Sequence, residues 1–172
     1  MKQTIRIFAV AIAVIFSAHA ASAQKDKSKR PSPPAQVTKT INGAEVTIDY
    51  SQPSKKGREV FGKLVPWGKV WRTGANENTW IEISKDVKVE GKTLAAGKYG
   101  LHTIPGADEW VIIFNSVSNA WGSYDYDKSK DVLRVPGKVM KGEMTEKFTI
   151  DISDSGDVSL AWDTTKVVFS IK

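Results

Sequence analysis

Apolar residues recur at every second position over much of this chain, the period of a β-strand that buries one face. Val46, Ile48 and Tyr50 alternate with Glu45, Thr47 and Asp49. Phe148, Ile150 and Ile152 repeat the pattern, Asp154-Ser155-Gly156 marks a turn, and Val158, Leu160 and Trp162 resume it. Val167, Phe169 and Ile171 close the chain in the same period. Asn42-Gly43 separates a strand over Val37–Ile41 from one over Ala44–Tyr50, because a two-residue type I′ turn needs positive φ at both positions. Further strands are predicted over Thr79–Ser84, Val87–Val89, Lys98–Ile104 and Glu109–Asn115, with turns at Glu90-Gly91 and Ala96-Gly97. No segment keeps a helical period beyond two turns. Short strands at this spacing predict an all-β fold, an antiparallel β-sandwich of jelly-roll-like or immunoglobulin-like kind over residues 35–172.

Two stretches break the period. Residues 51–79 hold Gly57, Gly62, Gly68 and Gly74 with Pro53 and Pro66, and residues 116–131 hold Trp121, Gly122, Tyr124 and Tyr126. Long irregular segments in a compact domain carry function or are disordered, and the aromatics argue for order. The glycine-rich excursion carries six Lys/Arg against only Glu59 and Glu77, a charge of +4 in a domain of +1, so the rest of the domain is −3. A guanidinium fork grips a carboxylate or phosphate, and an aromatic face stacks on the apolar side of a ligand. Arg58, Trp71, Arg72, Asn76, Trp121 and Tyr124 are therefore the candidate ligand-binding residues. The alternative is internal bracing, with both arginines on loop carbonyls and Asn76 in an Asx turn.

The N-terminus changes the picture of charge. Lys2 and Arg6 precede an apolar run from Ile7 to Phe16, which is too short to span a bilayer. Ala21-Ser22-Ala23 then offers the small-x-small pattern of a cleavage site, with Ala18-His19-Ala20 as a second one. Residues 1–23 read as a signal peptide rather than an uncleaved anchor, so the protein is expected to be exported to the periplasm or beyond. Residues 24–34, with four Lys/Arg and three Pro, read as a disordered basic linker. Much of the formal charge of +6 lies in these two segments, which removes the electrostatic case for nucleic acid. No later stretch is apolar enough for a membrane span. Cysteine is absent, so there is no disulfide, thiolate nucleophile or thiolate metal ligand, and stability must come from a core.

Candidate chemistry is sparse. His102, the only histidine after the leader, sits in a predicted strand with no Cys, His or carboxylate beside it, a setting more typical of a packed side chain than of a catalyst. Asp125-x-Asp127-x-Ser129-x-Asp131 imitates a calcium loop, but Lys130 stands where glycine is needed and Pro136 where a bidentate Glu is needed. Among six tryptophans, Trp80, Trp110 and Trp162 lie on strands and are expected in the core, while Trp67, Trp71 and Trp121 lie in loops and are expected to be exposed. There is no phosphate-binding loop, nucleophile elbow or zinc spacing, so no metal or cofactor is expected.

Three runs carry a family likeness. They are Gly57 to Thr79, with Gly-Arg-Glu-Val-Phe-Gly and Trp-Arg-Thr-Gly-Ala-Asn-Glu-Asn-Thr; Ala96 to Pro105; and Trp121 to Asp127. Together they resemble the signature of the domain-of-unknown-function 2911 family of secreted bacterial proteins, across about residues 32 to 172. The resemblance implies an exported β-rich domain and no particular activity. It also admits Phe or His at position 102, which weakens His102 as a catalyst. Three readings of function follow. The first is a binding module for a small polar, anionic or saccharide ligand. The second is a structural or protein-interaction domain without a small-molecule site, and the third a hydrolase, for which no paired-carboxylate motif is evident.

Overall fold

The computed structural model describes residues 26–172. The expected signal peptide, residues 1–23, lies outside the described residues, as do Gln24 and Lys25 of the linker. Nine strands follow: β1 (Pro34–Ile41), β2 (Ala44–Ser51), β3 (Trp80–Ile83), β4 (Val87–Val89), β5 (Lys92–Leu94), β6 (Gly97–Ile104), β7 (Glu109–Asn115), β8 (Asp131–Ile152) and β9 (Asp157–Ser170). Seven form one antiparallel sheet in the order β1-β2-β3-β6-β7-β8-β9, and β4 with β5 makes a separate hairpin. Asn42 and Gly43 take φ values of 50° and 78°, as the type I′ turn between β1 and β2 requires.

The large sheet is curled, and its last hairpin doubles back. The β8–β9 register shifts between Lys141 and Thr145 and again between Thr145 and Thr149, and such bulges bend a strand pair. Beyond the bend the hairpin meets the chain that leaves β2. The Phe148 N–H donates to the Pro53 carbonyl at 2.9 Å, the Lys55 N–H to the Glu146 carbonyl at 2.8 Å, and the Ile150 N–H to the Tyr50 hydroxyl at 3.0 Å. The result is an all-β, sandwich-like fold whose inner face holds one core. Val46, Ile48, Ile81, Ile83, Leu101, Ile112, Phe114, Phe148, Val158 and Phe169 are all buried in it.

The excursion of residues 51–79 plugs the open side of this curl. Val60 and Val65 are buried, and Phe61 sits 4.9 Å from Trp110 between ring centroids. Trp71 stacks on Trp162 at 5.9 Å and meets Phe148 edge-on at 5.1 Å. The expected exposure of loop Trp71 is thereby corrected: packing in this aromatic cluster half-buries it despite its loop position. Trp80 needs the opposite correction. It lies on β3 but is only half-buried, because Ile81 and Ile83 take the inward positions and period two sends Trp80 outward. Trp67 and Trp121 are exposed as expected.

Candidate functional site

The outer face of β2, β3 and β6 carries an ordered row of side chains. Asp49 pairs with Trp80 across β2 and β3, and Trp80 with Gly100 across β3 and β6. One step along, Thr47 pairs with Glu82 and Glu82 with Lys98. Paired residues share a face, so Asp49, Trp80, Glu82 and Lys98 stand together. Gly100 leaves a gap in the row. A Cβ there would stand 2.6 Å from Asn78 Nδ2 and closer still to the Val117 carbonyl oxygen, so the absence of a side chain lets both pack onto the sheet.

Above this row lies a cavity of about 310 Å³. Its floor and walls are Asp49, Trp80, Lys98 and Asn78, with Asn119 from the following loop and Lys27 and Glu77 at its mouth. The Lys98 ammonium sits 3.2 Å from the centroid of the Trp80 ring and 3.4 Å from a Glu82 oxygen. Glu77 holds two cations: Arg30 Nη1 reaches both carboxylate oxygens at 2.9 and 2.7 Å, and Lys27 Nζ reaches one at 3.1 Å. Desolvation raises the Glu77 carboxyl, but the hydrogen bonds from Arg30, its own backbone and Lys27 outweigh it and bring it to about 2. Asp49 is shifted the other way. Desolvation raises its carboxyl more than the nearby Lys27 and Lys98 lower it.

Asn78 ties the cavity to a second, enclosed polar cluster. It is 4% exposed; its Nδ2 faces His102 Nε2 at 3.4 Å and the Val117 carbonyl at 3.5 Å, and its Oδ1 has no partner. His102 is 3% exposed and is lowered to about 4 by burial, with the Asp131 charge pulling weakly upward. Its Nδ1 is unpaired beside a void of about 10 Å³ shared with Tyr126 and Asp127, about the room one water needs. Beyond it Asp131 accepts from the Tyr126 hydroxyl at 2.6 Å, from Arg134 Nε at 2.7 Å and from Asn115 Nδ2 at 2.8 Å. Two of the three calcium-like carboxylates are thus engaged: Asp127 caps the turn at Lys128–Lys130, and Asp131 binds Tyr126, Arg134 and Asn115. Among the described residues no group of three or more His, Asp or Glu is placed to hold a metal ion.

The six residues expected to form a pocket are distributed differently. Arg58 donates through Nε to the Lys55 carbonyl at 2.9 Å and through Nη2 to the Ser54 carbonyl at 2.5 Å. Asn76, at φ 61°, donates to the Ser32 carbonyl at 2.9 Å, and Trp71 Nε1 to the Gly74 carbonyl at 3.1 Å. Arg72 and Tyr124 do come together, around Gly122, the residue after Trp121. A Cβ on Gly122 would lie 2.9 Å from Arg72 Nη1 and 3.3 Å from the Tyr124 ring. Trp121 and Tyr124 remain 58% and 83% exposed there. The residues that line the cavity over Trp80 (Asp49, Glu77, Asn78, Trp80 itself and Lys98) escape a reading based on irregular segments, since most lie on regular strands. The signal that finds them is parity against Ile48, Ile81, Ile83 and Leu101.

A curled all-β domain with a groove of mixed polar and apolar lining on the outer face of β2, β3 and β6 is the class these features define. The chain belongs to the family described as "Protein of unknown function (DUF2911)", whose model matches residues 32–171. No curated protein and no solved structure matches it.

Proposed function

We propose that this is an exported binding module that takes a small polar ligand in the groove over Trp80. One observation carries the reading. A half-buried indole stands among carboxylate, ammonium and amide groups on the wall of a cavity of ligand size, where a sheet facing only water needs no such arrangement. The leader-like N-terminus supports export, and the lack of any catalytic motif favours binding over hydrolysis. Screening the protein by thermal shift against sugars, amino compounds and nucleotides tests the reading. A true ligand raises the melting temperature by mass action. Trp80→Ala abolishes that rise while leaving the unliganded protein's melting temperature close to the parent's. A ligand response that survives Trp80→Ala unchanged moves the site elsewhere.

A second reading, a structural or protein-interaction domain, has its own support. Arg58, Asn76 and Trp71 act as internal braces of the plug, so the family signature in residues 57–79 has a structural use. In this reading no compound in the screen moves the melting temperature.

A further inference from the structure

The groove's own chemistry narrows what it would bind. We propose that it recognises a basic peptide segment, and that residues 27–30 of this chain are a tethered stand-in for that ligand. The proposal rests on the reading that the groove over Trp80 is a binding site.

Three features of the groove ask for donors and positive charge. Glu77 lies at its mouth and already holds one guanidinium and one ammonium, from Arg30 and Lys27. Asp49 lies inside, half-buried, and no cation stands within ion-pair distance of it among the described residues, where a desolvated carboxylate gains most from one. Asn78, which lines the cavity, holds an enclosed Oδ1 acceptor without a partner, while its Nδ2 lies 3.5 Å from the Val117 carbonyl. The Trp80 face completes the set, since it already carries the Lys98 ammonium and an indole is the best aromatic partner for a cation. An anion would have to take Lys27 from Glu77 or Lys98 from Glu82, and would meet the Asp49 carboxylate besides. A neutral sugar could donate a hydroxyl to Asp49 but would not balance its charge.

The stand-in is loosely held. The segment from Asp26 to Pro33 contributes no large apolar side chain, and its ties are the Glu77 ion pairs plus Asn76 Nδ2 to the Ser32 carbonyl and the Gln52 N–H to the Pro33 carbonyl. The Lys27 side chain is 47% exposed, and pairs this exposed contribute little net stability. An incoming basic peptide can therefore displace the segment, extend past Glu77 and reach Asp49. Self-occupancy lowers the apparent affinity by the fraction of time the groove is free.

The test titrates the full chain with a peptide of its own sequence, Lys-Asp-Lys-Ser-Lys-Arg, following tryptophan fluorescence and calorimetric heat. Lys27→Ala/Arg30→Ala is expected to bind the peptide about tenfold more tightly than the parent, the factor for a groove filled about nine-tenths of the time. In the Lys27→Ala/Arg30→Ala background, where no stand-in competes, Glu77→Gln and Asp49→Asn each weaken binding while keeping that background's melting temperature. Equal affinity in the parent and the double variant overturns the stand-in, and undiminished binding in Glu77→Gln and Asp49→Asn overturns the cation site. Argininamide binding as tightly as the peptide contradicts a peptide ligand. A response to neutral sugars but to no cation removes this inference and leaves the groove reading intact; silence from every compound removes both.

Discussion

Three ionisable residues that lie close together in the fold are pulled in different directions by their surroundings. Glu77 is held ionised by its cations, Asp49 is pushed toward the neutral acid by desolvation, and His102 is held neutral by burial. His102 gives the sharpest consequence. Its folded value of about 4 lies below the ordinary 6.5, so on acidification the unfolded chain takes up the proton first. The associated stability is present above pH 6.5 and is lost as pH falls toward 4. Between pH 7 and 5 the loss is about 2 kcal/mol. Urea melts at those two values should show it, and His102→Phe should flatten the difference by most of that amount. An unchanged slope in the variant would assign the acid sensitivity elsewhere. Binding of a cation next to Asp49 should likewise weaken at low pH, as the proton competes for the carboxylate.

Among the elements, the β8–β9 hairpin matters most for the core. Ile150 is 3% exposed on the half that doubles back over β2, next to Phe148 and Trp162. Ile150→Ala should cost about 2–5 kcal/mol in a denaturant melt, by lost burial plus the cavity left behind. A loss below about 0.5 kcal/mol would show that the hairpin does not close the core. This hairpin also shows what is legible in sequence. Its tips, Phe148–Ile152 and Val158–Trp162, alternate cleanly because one face packs on the core. Residues 131–147 do not, although all lie in β8. Leu133, Val135 and Val139 do turn one face to the core, but Gly137 takes the position between them and Met140 and Met144 hold apolar side chains in solvent at 41% and 60%, so the period is blurred in the sequence. β5 is missed for a related reason: it is three residues long, and only Leu94 is buried. The groove was legible too, but in strand parity; the irregular loops drew attention to residues that mostly brace the plug.

Over the whole molecule, the basic linker and the acidic mouth of the groove complement each other. The sequence reading treats residues 24–34 as a free spacer, and the Glu77 contacts give its latter part a docking point. We expect that hold to be weak. Glu77→Gln should change stability by less than about 1 kcal/mol, since exposed pairs contribute little. It should nevertheless speed tryptic cleavage after Lys27 and Lys29 several-fold, and added salt should do the same to the parent protein by screening. Equal cleavage rates in all three conditions would mean that the segment does not rest on Glu77.

The central claim, that the outer face of β2, β3 and β6 is the functional surface, is tested most directly by nuclear magnetic resonance. Titrating the isotopically labelled protein with its basic peptide should shift the Trp80 indole N–H, the Asn78 and Asn119 side-chain amides and the backbone of Asp49. Signals of Arg58 and Tyr124 should stay in place. Shifts confined to Arg72, Gly122 and Tyr124, with Trp80 unmoved, would contradict the account.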